Sequence, residues 1–389
     1  MTVKFLEGSY AEELLEAVAL CGEYPWSGLD MMERDRTMLL RALKKVRNDY
    51  YMSVSGSAEM KTIRFTKKGL TPLYEHGEKY LDHYLSMSEG HKFRGGSKAS
   101  GNSGAIQTWR RHRMAEILMT LKYLGVAVWN FDKPELLLER HDSNLISQNK
   151  SYFYTSVQLK NADKASSKKV GFTRIMGALF SPGGIYCVYH TNKGLIRWQQ
   201  QGEIKSQLMV EEIARYNCDK VFDAPFQAQR AIMFGKSMGV ALEILNSNGG
   251  KRMQNNFELL SFDNTYKNIH FVTFDKGGKI QLKILMTENW QEKCRKVLFD
   301  QNVLLDDHSS VDADAKIDNT YVLSFIDGDI GRLKKFKSVS MIMPSYQFQV
   351  ICFPWQEEMV KNYIGDVTTH VIEADLLLEK IQEVGNGEF

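Results

Sequence analysis

A chain of 389 residues with 43% hydrophobic and 25% charged residues has apolar material for two or three packed domains and too little bias for wholesale disorder. No apolar run reaches the roughly 18 residues of a membrane span, and Met1 to Gly8 has acid where a signal peptide is apolar, so a cytoplasmic protein is expected. The net charge of +3 hides a split: Arg34 to Arg113 holds 17 Lys/Arg against 7 Asp/Glu, the remainder 33 against 40, so only one stretch is suited to a polyanion.

Ser9 and Glu12 have the spacing of a capping box, and Leu14, Leu15, Val18 and Ala19 fall on one helical face before Gly22, which predicts a first helix. A short helical stretch around Leu29 to Met32 follows. A third helix is expected from about Arg34 to Asn48, with Met38, Leu39, Ala42, Leu43 and Val46 inside. Two β-prone runs, 49–54 and 61–66, flank the polar turn 55–59, and a helical stretch then runs through Tyr74, Tyr80 and Tyr84. Residues 91–104 read as a basic, flexible Gly/Ser connector, and an amphipathic helix is predicted from about Gln107 to Leu124.

From Ser151 onward short strands alternate with helices. Strands are predicted at 152–159, 170–180, 184–190, 269–274, 280–285, 320–325 and 347–353, and helices at 206–216, 225–246, 288–298 and 355–364. The alternation implies an α/β part with a mostly buried sheet.

Helix, helix, helix, hairpin is the order of a winged helix, which lays its third helix in the DNA major groove while basic neighbours and the wing grip phosphates. Thr37, Arg41, Lys44 and Asn48 recur along the outer face of the third helix, with Arg34 and Lys45 beside them. The wing adds Lys61, Arg64, Lys67 and Lys68, and later elements add Lys92, Arg94, Lys98, Arg110, Arg111 and Arg113. These residues are the candidate contacts to double-stranded DNA.

The run Leu43 to Tyr51 and the run Ile63 to Gly69 resemble the winged-helix pattern of a basic third helix, a β-turn and a closing L-T-x-x-G, with Phe65 where leucine is commoner. A winged helix ahead of a basic helix and a larger α/β part looks like the replication-relaxation family of plasmids and integrative conjugative elements of Gram-positive bacteria. Ser156 to Lys160, Val188 to Thr191 and Phe353 to Gln356 are similar to stretches of uncharacterised mobile-element proteins. The resemblance implies an accessory protein of plasmid replication or conjugative mobilisation, with a relaxase or replication protein as partner.

Other motifs point elsewhere or nowhere. Cys21, Cys187, Cys218, Cys294 and Cys352 are scattered and odd in number, so neither a disulfide framework nor a zinc site is expected. Gly235-Lys236-Ser237 lacks the glycine that a phosphate loop needs at position 230 and falls in a stretch read as helical. Asp312 to Asp318 begins like a calcium loop but carries Lys316 at a ligand position, and reads as an acidic surface loop. Glu203-Ile204-Lys205 has the E-x-K spacing of restriction-type nucleases, yet no Asp or Glu lies between Val170 and Gln201 to complete a magnesium site, so a surface helix start is preferred. Tyr50-Tyr51 reads as wing-strand packing, and no histidines form an H-x-H pair.

The expected architecture is therefore α+β: an N-terminal winged helix over 1–90, a basic helical connector over 91–150 and a C-terminal α/β domain with a mixed sheet over 151–389. Neither a catalytic residue, a cofactor nor a metal is expected. Binding at two half-sites would suit a homodimer. Two alternatives stay open, a transcriptional regulator with a ligand-binding α/β domain and a nuclease-like enzyme using Glu203 and Lys205.

Overall fold

The computed structural model of the chain describes residues 3–95, 102–136, 146–147, 149–162, 173–192, 200–218, 229–247, 265–305, 311–365 and 367–386. Its helices and mixed sheets divide between two units, Met1–Glu135 and Leu136–Phe389.

In the first unit the Ser9 hydroxyl accepts the Glu12 N–H at 3.1 Å and so caps helix α1 (Tyr10–Cys21). The Glu12 carboxylate reaches past Ser9 to the N–H of Gly8 at 2.5 Å. Gly22, at φ 73°, ends the helix. Strand β1 (Tyr24–Pro25) and a 3₁₀ turn (Trp26–Met31) precede helix α2 (Arg36–Asn48), whose first turn is capped by Asp35. Strands β2 (Met52–Ser55) and β3 (Thr62–Phe65) form a hairpin, and β3 also pairs with β1, giving an antiparallel sheet in the order β1-β3-β2.

Helices α3 (Leu70–His76), α4 (Glu78–Gly95) and α5 (Asn102–Tyr123) complete the unit, with Gly77 at φ 152° breaking α3 from α4. Helix α1 packs against α2, α4 and α5 through Leu14, Leu15 and Val18, met by Leu39, Leu43 and Val46 of α2 and by Ile117, Leu118 and Leu121 of α5. The expected flexible connector is shorter than the composition suggests. Helix α4 continues through Lys92, Phe93 and Arg94, ordinary helix formers, and α5 begins at Asn102.

His83 of α4 is buried. Its Nε2–H donates to the Leu20 carbonyl at 3.1 Å, and its Nδ1 accepts the Asn130 N–H at 3.1 Å, which fixes the neutral tautomer. Burial pushes the imidazole down from 6.5 to about 4, because a proton on Nδ1 would break the second bond without solvent to compensate. A depressed folded-state pKa contributes stability above pH 6.5 that is lost as pH falls towards 4. The loss is expected to be roughly 3 kcal/mol. Urea titrations at pH 7 and pH 4 measure it, and a His83→Gln variant should show a correspondingly weaker pH dependence. An equal dependence in both proteins would remove His83 as the cause.

The second unit holds strands β4 (Tyr152–Thr155), β5 (Gly177–Ser181), β6 (Gly184–Asn192), β7 (Arg230–Gly235) and β8 (Asn268–Thr273) in one sheet of that order. Strands β4, β5 and β6 pair antiparallel, whereas β6, β7 and β8 are parallel. Helices α6 (Ser156–Ala162), α7 (Gln200–Asn217), α8 (Met238–Asn246), α9 (Lys276–Met286) and α10 (Trp290–Leu298) interleave with them. A second sheet, in the order β12-β11-β10-β9, is built from β9 (Ala315–Ile317), β10 (Thr320–Ser324), β11 (Gln347–Cys352) and β12 (Thr368–Val371), with β9 antiparallel and the others parallel. Helices α11 (Ile330–Ile342), α12 (Pro354–Ile364) and α13 (Ala374–Asn386) follow β10, β11 and β12.

Several expected elements are different. Residues 280–285 form part of α9 instead of a strand: Asp275 caps the helix through the Gly278 N–H at 2.9 Å, and so many of its residues are buried that no period marks it. The stretch expected as one helix from Pro225 to Asn246 contains β7 and then α8, since a strand buried on both faces has no alternation to read. The run from Tyr152 turns helical after Thr155, where the Gln158 carboxamide accepts the Thr155 N–H at 2.9 Å. Of the run 170–180, residues 170–172 lie outside the described residues and the strand starts at Gly177.

Candidate nucleic-acid interface

Helix α2 has two unlike faces. Leu39, Leu43 and Val46 are buried, and Thr37, Arg41, Lys44, Lys45, Arg47 and Asn48 are exposed. The helix carries five Lys/Arg and no Asp/Glu. Asp35 at its N-terminus accepts the Met38 N–H at 2.8 Å. Lys45 and Arg47 in the last turn complement the negative end of the helix dipole.

The turn after β3 is tied to this end of α2. The Lys68 ammonium donates to the Asp49 carbonyl at 2.9 Å, the Thr66 N–H donates to the Tyr51 carbonyl at 3.0 Å, and the Thr66 hydroxyl bonds the Tyr50 carbonyl. These bonds bring exposed Lys67 and Lys68 beside Lys45 and Asn48 in one cationic patch. Among the described residues, Arg41, Lys44, Lys45, Arg47 and Lys67 have no carboxylate partner.

The remaining candidates divide. Arg34 is engaged by Glu13 at 2.6 Å. Arg64 and Arg111 share the buried Glu23 carboxylate, at 2.6 and 2.9 Å. Lys61 lies over the Trp26 ring, 3.5 Å from its centroid. Arg110 is exposed and Arg113 half-buried on α5, which packs against α1 and β1. Lys92 and Arg94 fall within α4, and Lys98 lies outside the described residues. The charge cluster expected from sequence is thus split between open cations on α2 and its adjoining turn and cations already held by carboxylates.

Arg47 and the exposed Met38 and Tyr50 were not among the sequence candidates. Arg47 follows Lys44 by three residues, a helical neighbour that the i, i+4, i+7 stripe passes over. Met38 was expected inside, but its side chain is 41% exposed. Tyr51 packs edge-on against Phe5 at 5.5 Å, whereas Tyr50 stands outside at φ 61°, so only one tyrosine of the pair has the packing role expected.

The second unit offers no comparable surface. Glu203 lies in the first turn of α7, but its carboxyl group is buried instead of facing solvent. It accepts the Thr173 hydroxyl at 2.7 Å, the Arg174 N–H at 2.8 Å and the Tyr189 hydroxyl at 3.0 Å, and burial raises its pKa. Lys205 points away into solvent. Gly235-Lys236-Ser237 is a strand-to-helix turn, not helix interior; Gly235 ends β7 and Ser237 caps α8, too short a connection to wrap a phosphate. Asp312 and Asp314 hold the Arg332 guanidinium, each at 3.0 Å, and Ala315 to Ile317 are strand β9, so the acidic run is an internal brace instead of a surface loop. The five cysteines are buried and free. Among the described residues no group of three or more His, Cys, Asp or Glu could hold a metal, and no helix is long and apolar enough to cross a membrane.

No protein-family model, curated protein or solved structure matches the chain.

Proposed function

We propose that the first unit is a winged-helix domain that binds double-stranded DNA, with α2 as the reading helix in the major groove and the β2–β3 hairpin as the wing. The observation that carries this reading is the outer face of α2: four unpaired cations, joined at the helix end by Lys67 and Lys68, with no acid among them. The element order and the antiparallel β1-β3-β2 sheet support it. The second unit serves as the accessory part, and the resemblance to the replication-relaxation family makes replication or mobilisation of a mobile element the process served, alongside a relaxase or replication protein. The occupied oxygens of Glu203 favour this non-catalytic role over a nuclease.

The test is a salt titration of duplex binding by the full chain, read by fluorescence anisotropy. Arg41→Ala/Lys44→Ala should weaken binding and flatten the plot of log affinity against log salt by about two units, close to one per phosphate contact. A slope equal to that of the unsubstituted protein would remove α2 from the interface.

A further inference from the structure

Met38 is the feature of α2 that electrostatics leaves unexplained. It sits in the first turn of a helix whose buried side is already filled by Leu39, Leu43 and Val46, and it opens an apolar surface among cations. The Arg41 guanidinium lies against it, Nη1 at 3.7 Å from the Met38 sulfur, so thioether and guanidinium form a single two-part surface. Its apolar and cationic parts are separated by nearly the ~3.4 Å rise between stacked bases. In the major groove the thymine 5-methyl is the apolar group on the base edges, and guanine offers the paired acceptors that suit an arginine fork. A helix enters that groove with its N-terminal residues nearest the bases, which is where Met38 and Arg41 lie.

We propose that Met38 is a specificity-determining residue that reads a thymine methyl group next to a guanine held by Arg41, so that the preferred duplex contains guanine and thymine in adjacent base pairs. This inference rests on α2 being the reading helix. A methionine is suited to the contact because its unbranched, polarizable side chain adapts to a small apolar target. Its exposure means that truncation leaves the packed face of α2 untouched.

The experiment begins with selection of duplexes from a randomised library by the full chain, then replaces thymine by deoxyuridine, one position at a time, in the selected duplex. The enriched sequences should share a guanine-thymine neighbour. Uracil at that thymine should weaken binding about fourfold, the equivalent of one buried methyl group. Met38→Ala should bind the thymine and uracil duplexes equally, and Met38→Leu should retain the difference. Enriched sequences without such a neighbour, or a full uracil penalty in Met38→Ala, would overturn the assignment of Met38 while leaving the winged-helix reading intact. Failure to enrich any duplex, with no salt-dependent binding, would overturn both.

Discussion

Replacing Asp329 by alanine is expected to destabilise the second unit by about 3–5 kcal/mol. The Asp329 carboxyl group is fully buried and accepts four N–H donors. Oδ1 takes the backbone N–H groups of Ile269 at 3.2 Å, Gly331 at 2.9 Å and Arg332 at 3.2 Å, and Oδ2 takes the Asn268 side-chain amide at 2.7 Å. Alanine would leave these donors without their partner, removing the cap of α11 and the clamp on β8 together. Each stranded buried donor costs about 1–3 kcal/mol, and a lost cap about 0.5–2 kcal/mol. Partial relaxation keeps the total below the sum. Asp329→Asn retains one oxygen and should cost markedly less. Urea unfolding of the full chain measures both variants; a loss under about 1 kcal/mol for alanine would mean that the four bonds contribute no net stability. Against the ~5–15 kcal/mol of a typical domain, the expected loss leaves the unit barely folded.

The second large effect is expected at Glu23. Its buried carboxylate holds Arg64 of β3 and Arg111 of α5 through the same oxygen. Glu23→Ala should cost about 2–3 kcal/mol, less than the ~3–5 kcal/mol of a fully enclosed pair, because the Arg64 head is 42% exposed and water recovers part of the loss. The engaged arginines also separate stability from binding. Arg64→Ala and Arg111→Ala should lower the midpoint of thermal unfolding and leave the salt slope of duplex binding unchanged, unlike the substitutions on α2. A flattened slope in either variant would show that the arginine leaves Glu23 for a phosphate.

What could be read from the sequence follows from the range of the forces involved. Helices α1 and α2 are legible because their stop and start signals, Gly22, Ser9 and Asp35, lie within three residues of the groups they serve, and the apolar period of α2 is undisturbed except at Met38. The hairpin is legible from its β-prone runs around a polar turn. The partners of Arg64 and Arg111 are not, since Glu23 and Arg111 are 88 residues apart and only the folded sheet brings them together. Strand β7 is hidden for another reason: Ala231, Ile232, Met233 and Phe234 are buried on both faces, and a short wholly apolar run looks alike as strand or helix. Glu203 shows the same limit in a charged residue, because nothing local distinguishes a carboxylate awaiting a metal from one already hydrogen-bonded to Thr173 and Tyr189.

Strand β8 closes one side of its five-stranded sheet, where a free row of peptide groups would invite a strand from another chain. Asp327 to Asp329 lie along that side instead. The Phe271 N–H donates to the Gly328 carbonyl at 2.9 Å, and Gly328 reaches this approach at φ 68°, where a side chain would press on the Phe271 carbonyl. The same three residues lead from β10 into α11, so the segment that starts a helix of one sheet also shields the other sheet from self-association.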